Sequence, residues 1–283
     1  MSYKAIIGIE THIELLTDSK IFCSCKNEFK AIPNTHCCPI CMGLPGAMPS
    51  LNFKVLEFAI KAGKATNCEI SDTVTFDRKN YFYPDLPKGY QITQFDNPIC
   101  KNGYIEISNG KKIGINRIHM EEDAGKLIYK DNTILIDYNR SGVPLLEVVS
   151  EPDMNSALEA KEYVEKLCAL IKNSGISDCK MHEGSLRCDI NISVFKEGKT
   201  FNLKKVEIKN VNSFKYIAKA IDFEIKRQTE ILEQGDEVKT ETRRYNERLK
   251  VTEPMRQKET SSDYRYIREP DLPLFYTSQL CDI

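Results

Sequence analysis

A chain of 283 residues, 41% apolar and 29% charged, is long enough to bury the core of one large domain or two modest ones. A net charge of −1 lacks the overall basic signature of a nucleic-acid binder, and no apolar run reaches the length of a membrane span. The N-terminus, Met-Ser-Tyr-Lys-Ala, has neither an apolar signal core nor Arg/Ser-rich transit character, so a cytoplasmic address is expected.

The first element, Ala5 to Leu16, reads as a strand. With a period of two, Ile7, Ile9, Thr11, Ile13 and Leu15 share one face, and Glu10, His12 and Glu14 share the other. Two carboxylates and an imidazole spaced about 7 Å apart on one rigid element suit a hard divalent ion such as Mg²⁺ or Mn²⁺. The plainer reading is an edge strand with a solvated polar face.

Eleven cysteines, an odd number with no export signal, speak against disulfide scaffolding. Cys23-Ser24-Cys25 and Cys38-Pro39-Ile40-Cys41 are two close thiol pairs that can close a tetrahedral Zn²⁺ site across the loop 22–46. His36 and Cys37 offer competing ligands. Four protein ligands leave no open position, so the expected role is structural. Cys68, Cys100, Cys168 and Cys281 stand alone and are expected to be simply buried.

Asn52 to Asn67 is predicted to be a helix, with Val55, Phe58, Ala59 and Ala62 on one face. Next, Phe76 to Tyr90 interleaves Tyr81, Phe82, Tyr83 and Tyr90 with Arg78, Lys79 and Lys88. Its prolines and glycine forbid a long regular element. Rings and cations in that pattern can stack on and neutralise a nucleotide or RNA end, or simply order a loop.

Short strands are predicted around Gln91–Phe95, Tyr104–Ile107 and Lys112–His119, with turns at Asn102-Gly103 and Asn109-Gly110. The last delivers Glu121-Glu122-Asp123 beside Lys126, either a metal and phosphate corner or an ordinary acidic loop. Two further strands repeat the two-faced pattern. Glu147 and Glu151 share one face of the first. In the second, Asp189, Asn191 and Ser193 oppose Cys188, Ile190, Ile192 and Val194. Together the three strands predict a sheet with a chemically equipped polar side.

Ser156-Ala157-Leu158-Glu159 is a capping box opening a helix that ends before Gly175, and a second helix is expected from Asn212 to Gln234. Both present packing stripes. From Lys196 to Lys258 there are 16 Lys/Arg against 11 Asp/Glu, a balance of +5 that leaves −6 elsewhere. This region can meet phosphate or form a solvated helix face. Phosphate-loop, dinucleotide-turn, nucleophile-elbow and zincin motifs do not occur, so any ATP must be held by an open sheet and a metal.

These stretches, in one order over nearly the whole chain, resemble the B subunits of tRNA-dependent aspartyl/glutamyl amidotransferases. The matching motifs are Ile9 to Leu15, Phe76 to Asp85, His119 to Lys126, Asn139 to Glu147, Glu183 to Asp189, Lys209 to Phe214 and Asp263 to Tyr266. The resemblance implies an α+β, cradle-shaped, largely antiparallel catalytic domain over residues 1–283, with the zinc loop inserted. It implies use of ATP to phosphorylate the side-chain carboxylate of misacylated Glu-tRNA(Gln) or Asp-tRNA(Asn). Ammonia from the glutaminase A subunit then displaces the phosphate, and the heterotrimer is braced by a small C subunit.

Carried over by motif, Glu10, His12, Glu122 and Glu147 would hold Mg²⁺, with Glu121 and Asp189 as outer candidates. Lys79 and Lys88 would lie on the ammonia route or near phosphate. Arg78, Lys126, Arg187 and Asp189 would face ATP. Cys23, Cys25, Cys38 and Cys41 match the zinc-bearing version of the family.

Two departures bear on this. Family members continue with a helical and a tail domain that grip tRNA, whereas this sequence stops at Ile283, and Ile267-Arg268 stands where Phe-Pro is usual. A fragment, a truncated product or a variant relying on another protein for tRNA is expected, with weak tRNA affinity of its own. Rival readings are a catalytically silent, zinc-stapled interaction module and a stand-alone metal-dependent kinase of a free carboxylate.

Overall fold

The computed structural model describes residues 2–198, 204–255 and 264–280. Among these, nine strands form the main sheet. They are β1 (Tyr3–Glu14), β2 (Glu69–Ile70), β3 (Cys100–Glu106), β4 (Lys112–Glu122), β5 (Pro144–Ser150), β6 (Leu186–Lys196), β7 (Val206–Val211), β8 (Glu241–Asn246) and β9 (Val251–Pro254). Their order is β9-β8-β7-β6-β1-β5-β4-β3-β2, and only β7 and β8 run parallel. The fold is α+β with a largely antiparallel sheet, as the sequence leads one to expect.

The strand β1 lies at the centre, between β5 and β6. Its apolar face is buried as the alternation predicts: Ile7, Ile9, Thr11, Ile13 and Leu15 are at most 1% exposed. Each buried aliphatic side chain is worth about 1.5–3 kcal/mol against exposure. Three helices, α1 (Phe53–Ala65), α2 (Ala157–Asn173) and α3 (Phe214–Glu233), share one core with that face. The opposite face carries the site.

Local chemistry sets the helix ends. Asn52, Ser156 and Ser213 are the N-caps, each accepting a backbone N–H in the first turn. The Glu159 carboxylate accepts from Asn155 N at 2.8 Å, one residue before the N-cap that a capping box would engage. Where the β5 register shifts between Val149 and Ser150, the Ser150 hydroxyl accepts from Ile9 N at 2.9 Å and satisfies a β1 amide.

Several elements differ from expectation. Asp77–Asn80 forms a short strand between Tyr90–Thr93 and Ile267–Arg268, inside a segment read as irregular. The hairpin Lys126–Lys130/Thr133–Asp137 and the strands β7, β8 and β9 were not predicted. The alternation of Val206 and Ile208 with Glu207 and Lys209 in β7 is nevertheless a strand's period of two, with both apolar residues buried. Of the lone cysteines, Cys100 and Cys168 are buried and Cys68 only half-buried, while Cys281 lies outside the described residues, as does Asp263 of the last motif. Cys168 is also not alone, since its thiol interacts with that of Cys179.

Candidate active site

Pairing across four strands builds one row of side chains on the polar face. Arg187 of β6 is opposite His12 of β1, His12 is opposite Glu147 of β5, and Glu147 is opposite His119 of β4. Neighbouring strands lie about 4.8 Å apart, so each side chain reaches the next. Nε2 of His12 is 3.4 Å from Glu147 Oε2 and 3.5 Å from Glu121 Oε1. Nε2 of His119 is 3.1 Å from Glu147 Oε2 and 3.7 Å from Glu121 Oε2. Ligand atoms of His12, Glu121 and Glu147 all lie within 4.8 Å of one another. One imidazole and two carboxylates in that space fit a hard divalent cation that retains water.

The electrostatics follow from burial and proximity. Burial alone pulls His119 down, but the charge of Glu147 and the hydrogen bonds to Glu121 and Glu147 outweigh it and lift the imidazole to about 9. His12 is raised for the same reason, with Glu147 prevailing over burial. Burial pushes Glu147 up, yet the two imidazoles hold it well below the carboxylate range. Glu14, at the edge of this face, is raised to about 7 by burial and by Asp123, against the pull of Arg187 and Arg140.

Arg187, His12 and Glu147 of the row, with Glu121, form the floor of a cleft of about 1270 Å³ whose walls include Lys79, Tyr81, Lys126, Arg140 and Asp189, while His119 is buried behind them. Arg187 grips Asp123 with two N–H groups, at 2.6 and 3.3 Å, while its Nε is buried without a partner among the described residues. Arg140 approaches the same carboxylate at 3.5 Å and donates to the carbonyls of Ala124 and Gly125. Lys79 lies over the Tyr264 ring at 4.7 Å and the Tyr81 ring at 5.8 Å.

The structure gathers His12 and Glu147 as expected, but the remaining partners change. Glu122 does not join them. Its carboxylate pairs with Lys88 and accepts from Ile92 N at 2.8 Å, because one step along β4 turns a side chain to the other face. Glu121, expected only as an outer group, takes the inner place. Glu10 shares the face of His12, but its carboxylate accepts from Asn191 Nδ2 at 2.8 Å and lies outside the cluster.

Asp189, opposite Glu10, pairs with Lys209 at 3.2 Å. Lys88 lies behind the cleft with Glu122, beside a small cavity walled by Phe22, Cys41 and Gly142. Arg78 points away from the cleft, since strand alternation sends Arg78 and Lys79 to opposite sides. It is held by Glu269 at 2.7 and 2.8 Å, by Asp271 at 2.9 Å, and over the Tyr90 ring. An ATP contact from Arg78 is therefore not supported. His119 was missed as a site residue, although His119-Met120-Glu121 carries the signal: two polar groups flanking an apolar one at a strand's period.

Sγ atoms of Cys23, Cys25, Cys38 and Cys41 also lie within 4.8 Å of one another. Tetrahedral Zn²⁺ with sulfur at about 2.3 Å needs sulfurs about 3.8 Å apart, so the cluster fits that ion with little rearrangement. The Cys41 thiol is drawn down to about 4, chiefly by its hydrogen bond from Cys23, which is correspondingly pushed up. Cys37 turns instead to Asn139, 3.8 Å away, and neither it nor His36 joins the cluster.

No helix among the described residues is long and apolar enough to cross a membrane. A family model described as the GatB/GatE catalytic domain matches residues 5–281. The B subunit of the aspartyl/glutamyl-tRNA(Asn/Gln) amidotransferase of Thermoanaerobacter pseudethanolicus is 56% identical over 99% of this chain and 60% of its own length. Its counterpart in Carboxydothermus hydrogenoformans is 56% identical over 96% of this chain and 58% of its own. That of Clostridium tetani is 54% identical over the same shares. The chain thus spans about 60% of the length of the curated relatives it matches.

Proposed function

The chain belongs to the GatB/GatE catalytic domain family, and from that premise we propose that it is the carboxylate-activating and amidating part of a tRNA-dependent amidotransferase. Its substrates in this reading are ATP and the misacylated Glu-tRNA(Gln) or Asp-tRNA(Asn), and it works in the cytoplasm with a glutaminase partner and a small bracing partner. The γ-phosphoryl group of ATP passes to a side-chain carboxylate oxygen, giving an acyl phosphate and ADP. Ammonia then adds at the acyl carbon, a proton is lost from nitrogen, and inorganic phosphate departs as the amide forms. Activation is needed because a carboxylate is a poor electrophile for ammonia.

The observation that carries this reading is the convergence of His12, Glu121 and Glu147 from three strands onto one point of the cleft floor. These three would hold Mg²⁺. When bound, that ion would neutralise charge on the transferring phosphoryl group. The imidazole of His119 holds the Glu147 carboxylate in place. Lys79 presents positive charge to the phosphates from the wall, and the Arg187 guanidinium adds positive charge at the floor. The four cysteines would hold a structural Zn²⁺ that braces the loop behind that wall.

The test is reconstitution with the glutaminase and bracing partners, glutamine, ATP and Glu-tRNA(Gln), measuring Gln-tRNA and tRNA-dependent ADP release. Loss of both in Glu147→Gln, with glutaminase activity retained, is the expected result. ADP release equal to wild type in that variant would overturn the assignment.

A further inference from the structure

Lys20 is the only fully buried lysine among the described residues, with an exposure of 0%. Its Nζ donates to the His36 carbonyl at 2.8 Å, the Tyr138 carbonyl at 3.3 Å and Cys41 Sγ at 3.6 Å. A buried positive charge is costly unless a negative one opposes it, and among the described residues no carboxylate pairs with Lys20. The group within reach that can carry a negative charge is the sulfur of Cys41, one of the four clustered thiols.

The same contacts lead outward to the cleft. Tyr138 precedes Asn139, whose Oδ1 accepts from His36 N at 2.8 Å and whose Nδ2 donates to the Ile32 carbonyl at 2.7 Å. Ser141 donates to the Cys41 carbonyl at 3.2 Å, and Ile21 N donates to the Gly142 carbonyl at 3.0 Å. Gly142 has φ +83°, and a Cβ there would lie 3.4 Å from the Lys20 side chain, so the turn packs against that lysine. Between them is Arg140, which meets Asp123 and hence Arg187 on the cleft floor.

We propose that Lys20 is a positioning residue for a Zn²⁺–thiolate centre, offsetting its excess negative charge and fastening it to the Tyr138–Gly142 segment of the cleft wall. Four thiolates on Zn²⁺ leave a formal charge of about −2, and one lysine set against the cluster halves it. The inference rests on the zinc reading of the four cysteines, and its experiment keeps the two apart. It also gives the buried lysine a reason to be there: in the unloaded loop its charge would be opposed mainly by Cys41.

Zinc content of the wild-type chain is measured first, after purification without chelator. Wild-type protein free of zinc would overturn both the zinc reading and this inference. With zinc present, its release to a chromogenic chelator is timed for wild type, Lys20→Met and Lys20→Arg. Release from Lys20→Met is expected to be about ten- to a hundredfold faster, matching the loss of metal affinity typical when a group bonded to a metal ligand is removed. Lys20→Arg keeps the charge and should stay within about threefold of wild type. An unchanged rate in Lys20→Met would overturn the inference alone.

Should Lys20→Met not fold, Lys20→Arg decides: a folded Lys20→Arg chain releasing zinc more than about tenfold faster would overturn the charge account. A double-mutant cycle with Cys41→His, which removes one negative charge from the centre, separates charge from packing. The Lys20→Met factor should shrink at least about threefold in that background, and an equal factor in both would show a merely structural lysine.

Discussion

His12 and Glu147 stand opposite each other on antiparallel neighbours, Nε2 to Oε2 at 3.4 Å, and the same carboxylate oxygen is shared with His119 at 3.1 Å from the next strand. Glu147 therefore sits between two imidazoles. Its charge raises both, and both imidazoles hold its carboxylate in place. Removing the charge should lower both imidazoles together. In Glu147→Gln, the His119 ring is expected to titrate well below the value of about 9 that it has in the intact site. Proton NMR of the histidine ring signals reads this directly, and a ring still titrating near 9 would contradict the geometry. Mg²⁺ affinity, measured by calorimetry, should fall at least about tenfold.

Stability should depend on pH through His119. Its folded pKa of about 9 is above the ordinary histidine value of 6.5, so the charged ring favours the folded state. That contribution is fully present below about 6.5 and is lost as pH rises through about 9. Thermal melts without added Mg²⁺ should show His119→Gln less stable than wild type at pH 6. The gap should narrow markedly by pH 9.5. A gap that widens with pH would reverse the assignment.

Glu14 predicts the opposite kind of variant. Burial and the charge of Asp123 raise it to about 7, so the folded state prefers its neutral form. Stability from this preference is present below the unfolded value near 4.5 and is lost as pH rises through about 7. Replacing the acid with the neutral amide should thus stabilise the chain at pH 8 and do little at pH 4. The comparison is a pair of melting curves for Glu14→Gln at the two pH values. Destabilisation at pH 8 would mean that the carboxylate has an attractive partner in the cleft.

The cysteine cluster predicts about one tightly held Zn²⁺ per chain, with a structural role. The double variant Cys38→Ser, Cys41→Ser should lose the metal and melt at a lower temperature. Because loop 22–46 is latched to Asp137 and Asn139, the cleft wall should loosen too, seen as faster amide exchange around Arg140. Full zinc content and an unshifted melt in the double variant would remove the assignment.

Much of this protein is legible from local patterning. The alternation in Ile7 to Leu15 placed His12 on the polar face and buried the aliphatic residues opposite, because a strand's side chains alternate whatever its neighbours are. The spacing of Cys23, Cys25, Cys38 and Cys41 brought four thiols to one loop, since each pair is too close in sequence to separate. Asn52 and Ser156 marked helix starts because capping is a contact within one turn.

Other features were decided only when distant strands met. That Glu121 and not Glu122 faces His12 depends on the register of β4 against β5 and on Lys88 arriving from another loop to take Glu122. That His119 completes the row depends on its pairing with Glu147, 28 positions away in the chain. Arg78, rich in promise beside Lys79, was claimed by Glu269 from the far end of the described chain. Periodicity assigns a side chain to a face, but it carries no information about which strand lies alongside. A one-residue change of register turns every side chain over, so which faces came together in one site was decided by the tertiary structure.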